Sequence, residues 1–234
     1  MNTALLTIDD IASKNTPAIV DYLNEKGIRA IFFATGVNVE RFHEEARYAV
    51  QHGMIVGNHS YSHPAFSALT MPQAIEEIEK CEEVLDRLYR DSNVERRYRP
   101  FRFPYGDKGG NNRKALQQYL REKKFDKVDD RHIAYTWWKE NGLALDIDTF
   151  WTFDFEEYRM QNEPDFTKES VWAKMHRKHP ETGEALFHED HRHIVLMHAH
   201  DETEEILPQY YRLFLGHLLD HGMIFDEPAF IRQG

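Results

Sequence analysis

The feature that most constrains the fold is a repeated unit: a short apolar run that stops on a polar side chain and is followed by a helical stretch. The first instance is Leu5-Leu6-Thr7-Ile8, which runs straight into Asp9 and Asp10. Such a run reads as a strand buried on both faces, the kind that parallel sheets contain. Residues 17–27 then read as a helix, with Pro17 near its start, Ile19, Val20 and Leu23 on one face, and Gly27 as its stop. The unit recurs as a strand over 28–35 with a helix over 39–52, and as a strand over 54–57 with a long helix over 72–91 that Thr70 caps. Beyond it the chain predicts an extended run over 99–105 pinned by Pro100 and Pro104, a helix over 112–124, a strand over 143–154 and a helix over 168–178. A hairpin tip at 181–184, a strand over 194–197, a helix over 203–221 and a closing strand over 223–225 complete the pattern. Strands that alternate with helices imply a parallel sheet, closed or doubly wound.

In such sheets ligands bind beyond the carboxyl ends of the strands, so the residues that end these runs are the candidates for chemistry. Asp9 and Asp10 are neighbours on an extended end, and alternation aims them opposite ways, toward different jobs. His59 and His63 follow the third strand directly. Their spacing alone is weak, because 14 histidines in this chain give roughly one such pair by chance. The strand end before them, and Ser60, Ser62 and Pro64 around them, set the pair apart from His217 and His221, which have the same spacing but no carboxylate-bearing strand end. Two imidazoles with the Asp10 carboxylate make a donor set that suits zinc with an open position, or non-haem iron. Arg102 could orient a carboxylate, with backbone N–H groups of the turn at Tyr105 facing an oxyanion; a structural arginine beside a proline turn is the ordinary alternative. His198 at the last strand end is a general acid or simply a satisfied, partly buried histidine. His188, His191, His193 and His200 crowd the same region and read as surface or supporting residues.

A net charge of −11 argues against nucleic acid or an anionic membrane as partner, and no run is long enough to cross a bilayer. The lone cysteine, Cys81, excludes an internal disulfide and any multi-cysteine metal site, and its helical setting makes it a small apolar residue. Met1 lies a few residues before the first strand, so no signal peptide is expected in the chain as it stands. The expected location is the cytoplasm, or the cell envelope or medium if an export segment has been removed.

Four strand ends that carry polar groups of the right kind, in this order, resemble the polysaccharide deacetylases of carbohydrate esterase family four. Thr7-Ile8-Asp9-Asp10 is similar to the family's Thr-Phe-Asp-Asp, and His59-Ser60-Tyr61-Ser62-His63 to its His-Ser/Thr-x-x-His. Arg102-Phe103-Pro104-Tyr105 and Leu196-Met197-His198 are similar to its arginine-proline-aromatic and Leu-x-His motifs. Its Asp-x-x-Asp-Trp motif is altered; the best fit is Asp154-Phe155-Glu156-Glu157-Tyr158, with Asp146 and Asp148 as rivals for the second acid.

The resemblance implies an irregular (β/α) barrel of about seven parallel strands ringed by helices, one catalytic domain over 1–234, with insertions near 125–141 and 178–191. Trp137 and Trp138 in the first insertion are expected to be exposed or to line a cleft. The resemblance also implies hydrolysis of N-acetyl groups on an N-acetylglucosamine polymer: chitin oligomers, peptidoglycan or an exopolysaccharide. Asp10, His59 and His63 would hold one divalent ion, zinc foremost, with cobalt, nickel or manganese as substitutes. Asp9, held by Arg102, would be the base, and His198, tuned by Glu157, the acid. The Tyr105 N–H would face the oxyanion, and Tyr158 and Leu196 would wall the acetyl pocket. The alternatives are an O-acetyl esterase on xylan, a small-molecule amidohydrolase, or a non-catalytic carbohydrate-binding protein that kept the metal.

Overall fold

A computed structural model describes residues 2–178, 186–187 and 191–231. The hairpin tip at 181–184, His188 and most of the second expected insertion lie outside the described residues. In chain order the elements are β1 (Thr3–Ile11), α1 (Thr16–Glu25), β2 (Ala30–Ala34), α2 (Gly36–Arg41), α3 (His43–Gln51), β3 (Ile55–Asn58) and α4 (Met71–Asp91). There follow α5 (Arg113–Glu122), β4 (Lys127–Val128), α6 (Thr136–Glu140), β5 (Phe153–Asp154), α7 (Lys168–His176), β6 (Arg192–His198), α8 (Asp201–Ile206), α9 (Tyr210–Asp220), β7 (Ile224–Phe225) and β8 (Phe230–Ile231).

The main sheet runs β3-β2-β1-β6-β5, with β7 joined to β1, and every pair in it is parallel. Two short contacts curl it toward closure. Phe101 bridges Asn58 in parallel at one edge, and the Thr149 N–H donates to the Phe101 carbonyl at 2.8 Å. On its other side the same segment reaches β6, where the Thr152 N–H donates to the Ile194 carbonyl at 2.9 Å. The result is the irregular barrel of parallel strands ringed by helices that the sequence implies. An antiparallel pair, β4 with β8, is an addition the alternating pattern does not reveal.

Period-two alternation divides β1 between two cores. Leu6 and Ile8 point outward into the helix-covered core with Phe32, Val56, Leu85 and Phe214. Leu5 points inward with Ile31, Phe33 and Ile194. Thr7 and Asp9 continue that inward row, so the barrel axis turns from apolar to charged toward the carboxyl ends.

Several sequence expectations are corrected. The helix expected over 39–52 is two helices, broken where Phe42 adopts φ −122° and ψ 53° and packs against the core. The helix expected over 203–221 breaks between α8 and α9 at Pro208, which lacks the N–H that a helix interior needs. Of the strand expected over 143–154 only Phe153–Asp154 forms a regular strand, with isolated backbone hydrogen bonds at Thr149 and Thr152 before it; the stretch starts as a tight helical turn at Leu143–Leu145. Trp138 is neither exposed nor at a cleft. It is 1% exposed and fills the inner core beside Leu5, Ile31 and Phe33, and its indole N–H donates to Asp130 at 3.1 Å. Trp137 is half-buried against Tyr135 and Trp138. The 125–141 stretch therefore packs against the inner face of the barrel rather than shaping a substrate cleft. His193, read as a surface or supporting residue, is fully buried, and burial lowers its pKa to about 4. Cys81 is buried in α4, as an apolar residue would be, and its thiol pKa is pushed up by burial.

Candidate active site

The parallel register of β1 and β6 sets Asp9 directly opposite His198. Both line a cavity of about 420 Å3 at the carboxyl ends of the strands, together with Asp10, His59, His63, Tyr105, Trp151, Asp154, Tyr158, Leu196 and His200. Asp9 and Asp10 do not point opposite ways as simple alternation predicts. The β1–β2 register shifts between Asp9 and Ile11, and Asp10 has φ +65°, which turns its carboxylate back into the pocket. Asp10, Ser60, His63 and Tyr105 are four of the eight non-glycine residues with positive φ among the described residues. Such backbone costs about 1–3 kcal/mol per residue, and its clustering marks a site held in shape by its surroundings. Gly106, at φ +65°, follows Tyr105 where a Cβ would come within 2.7 Å of the Phe150 ring, so no side chain fits there.

His59 Nδ1 lies 2.9 Å from the Arg102 carbonyl, which can only accept. Nδ1 therefore carries the proton, and Nε2 presents a lone pair to the pocket. That Nε2 stands 3.4 Å from Asp9 Oδ2 and 3.7 Å from Asp10 Oδ1, and His63 Nε2 stands 3.3 Å from Asp10 Oδ1. Asp10 Oδ1 is buried and accepts no hydrogen bond among the described residues. One ligand atom from each of Asp10, His59 and His63 lies within 4.8 Å of the others. An orphaned buried carboxylate oxygen facing two imidazoles is a donor set that fits a divalent cation. Burial would raise the Asp10 carboxyl, but the His200 hydrogen bond and the nearby His59 and His63 hold it well below the usual carboxylate range. Burial lowers the His63 pKa, which favours the neutral imidazole that a metal needs.

His200 is the residue that sequence reasoning undervalued. Its Nε2 lies 2.8 Å from Asp10 Oδ2, while Gln161 Nε2 approaches its Nδ1 at 3.1 Å. The Gln161 amide donates to Nδ1, so the His200 proton sits on Nε2 and is donated to Asp10. Its place at the start of α8, two residues past His198, was the only available signal. Trp151, stacked on Phe150 with ring centroids 4.3 Å apart, is a second pocket residue with no motif to announce it.

Arg102 is fully buried and donates to Asp9 Oδ1 at 2.7 Å, Thr7 Oγ1 at 2.9 Å and the Thr149 carbonyl at 3.0 Å. Tyr105 is 69% exposed, and its ring meets that of His63 edge-on. On the opposite wall Glu157 is fully buried and accepts the backbone N–H of His198 on Oε1, which lies 3.4 Å from His198 Nδ1. Burial works against a charge on His198, but Glu157, with help from Asp154 and Asp10, raises its pKa to about 10. Burial, with the negative charge of Glu157 nearby, raises Asp154 to about 6. Tyr158 packs edge-on against the His198 ring at 4.7 Å. The rivals are committed elsewhere: Asp148 pairs with Lys108 and Gln117, and Asp146 with Lys108 and Arg113.

The polysaccharide deacetylase family model matches residues 1–122, just over half of the chain. The chain belongs to the polysaccharide deacetylase family. The matched stretch contains Asp9, Asp10, His59, His63, Arg102 and Tyr105, while Glu157, Tyr158, Leu196 and His198 lie beyond it. A peptidoglycan-N-acetylglucosamine deacetylase of Bacillus cereus is 37% identical over 84 residues, 36% of this chain and 30% of that relative. The chain thus aligns with under a third of that relative's length. The structure of the Bc1960 peptidoglycan N-acetylglucosamine deacetylase superimposes with a TM-score of 0.65 at 21% identity, over 96% of this chain and 85% of that one. A family pseudoenzyme, BA3943 from Bacillus anthracis, superimposes with a TM-score of 0.60 at 22% identity, over 95% of this chain and 62% of that one. These two likenesses establish the family-four carbohydrate esterase fold. Because a pseudoenzyme shares it, the fold leaves activity to the side chains.

Proposed function

We propose that this polysaccharide deacetylase family member is a metal-dependent hydrolase that removes N-acetyl groups from an N-acetylglucosamine polymer. The observation that carries the reading is the placement of Asp9 and His198, opposite each other on paired strands, in the pocket that also holds the Asp10, His59 and His63 donors. Those three residues would hold the ion, with zinc the best match to two imidazoles and a carboxylate. A divalent ion there supplies Lewis-acid polarisation and makes water acidic enough to attack at neutral pH.

The chain's own residues supply the rest. Arg102 fixes the Asp9 carboxylate, which takes the proton from water as it attacks the acetyl carbonyl. The Tyr105 N–H is assigned to the oxygen that gains negative charge. His198, kept protonated by Glu157, gives a proton to the departing amine nitrogen, which leaves poorly without one. Tyr158, Leu196 and Trp151 wall the space for the methyl group. Acetate release tests the reading: N-acetylglucosamine oligomers are expected to be substrates, whereas release from O-acetylated xylan alone would make the protein an esterase.

The acid has a pH signature. The alkaline limb of kcat/KM should report His198, and the acid limb the carboxylate base. Removing the negative charge in Glu157→Gln should lower the His198 pKa and move the alkaline limb to lower pH by about 1–3 units. A divalent ion in the pocket pulls the same value down, so the shift between variants is the quantity to measure. An alkaline limb that stays in place in Glu157→Gln but moves in Asp154→Asn would assign the tuning role to Asp154.

A further inference from the structure

Three histidines outside the pocket come together although two are 41 residues apart in sequence. His217 and His221 lie at the end of α9, and His176 is the last residue of α7. One ligand nitrogen from each lies within 4.8 Å of the other two. We propose that His176, His217 and His221 form a second transition-metal site, which clamps the end of α7 to the end of α9.

The nitrogen atoms are set for this. His176 Nε2 and His217 Nε2 are 2.8 Å apart, so one of the two carries a lone pair directed into the cluster. His221 Nδ1 lies 2.8 Å from the His217 carbonyl, which leaves Nε2 of His221 as its lone-pair nitrogen. An imidazole N–H tied to a carbonyl is the usual way a ligating histidine is oriented.

The setting favours a cation. Two helix C-termini converge here, and each carries partial negative charge within its last turn. Asp220 adds a negative charge near His217. Phe187 flanks His176 and His221 with ring centroids at 5.0 and 4.9 Å, so one side of the cluster is apolar. Imidazole nitrogens without a carboxylate ligand select zinc, copper, nickel or cobalt over calcium and magnesium. Tetrahedral zinc would set the nitrogens about 3.3 Å apart, so the 2.8 Å pair of His176 and His217 would open. The exposed His176 and His221 and the half-buried His217 can make that adjustment at the surface. The pair that sequence spacing left as an ordinary helical match gains its third ligand only from the tertiary fold. This site shares no residue with the deacetylase pocket.

Zinc titrated calorimetrically into chelator-treated full-length chain tests the proposal. Wild type is expected to bind two zinc ions per chain. His217→Ala with His221→Ala should bind one and keep its deacetylase turnover, because neither residue touches the pocket. His176→Ala alone should weaken the second zinc by at least about 10- to 100-fold, the loss that even an outer partner of a metal ligand brings. A thermal midpoint that rises with the second equivalent of zinc in wild type, and not in the double variant, would show that the ion clamps the two helices. Equal zinc stoichiometry in wild type and the double variant would overturn the proposal. The zinc count is independent of turnover, so failure of this site and failure of the deacetylase reading give different results.

Discussion

Asp9→Asn and His198→Ala are each expected to lower kcat on an N-acetylated oligomer by about 10²- to 10⁴-fold, the contribution typical of a positioned general acid or base. Neither should reduce metal binding in the pocket, because neither side chain belongs to the Asp10, His59 and His63 set. Asn keeps the shape of Asp9 and can still meet the Arg102 guanidinium through its carbonyl oxygen, so the loss would measure the missing base. His198 should matter less for an O-acetyl ester, since an alkoxide leaves more easily than an amine anion. Near wild-type turnover in either variant would remove that residue from the mechanism.

Arg102→Met should cost about 3–5 kcal/mol of stability, the range seen when one partner of a buried ion pair is removed. Arg102 is fully buried, holds Asp9 at 2.7 Å and lies over the Phe33 ring at 4.4 Å. Met replaces much of the apolar stem but leaves the Asp9 carboxylate buried without its cation. Adding Asp9→Asn should restore part of the loss, because the charge that lacked a partner is then gone. Urea unfolding of the two single variants and the double variant gives the coupling between the residues. Losses that simply add would show that Arg102 acts through packing and its other hydrogen bonds.

The strand ends were legible because burial and chemistry coincide there. Leu5 to Ile8 had to be buried, and a buried parallel strand that ends on Asp9 and Asp10 delivers them to the face where such folds bind ligands. The long helix α4 was legible from its apolar face and from Thr70, whose N–H donates to the Gln73 side chain at 3.0 Å. Most of what failed depended on tertiary contact. The turn of Asp10 into the pocket needs the bulge in β1, which leaves no trace in hydropathy. Trp138 found its place through Asp130 and the inner barrel wall, so composition alone misplaced it. His200 meets Asp10 across 190 residues of sequence, and His176 joins His217 in the same long-range way. Pro208 was a local signal for the break between α8 and α9, and a single helix over 203–221 passes over it.

On the proposed function, one divalent ion held by Asp10, His59 and His63 makes this pocket a deacetylase. The direct test uses chelator-treated protein carrying His217→Ala and His221→Ala, so that the pocket alone can bind metal. Zinc is titrated in while bound metal and acetate release from N-acetylglucosamine oligomers are followed together. Turnover should rise in proportion to a single bound zinc per chain, and adding His63→Ala should abolish both. Full turnover in the metal-free protein, or equal zinc binding by the His63→Ala variant, would rule out this metal site as the source of the activity.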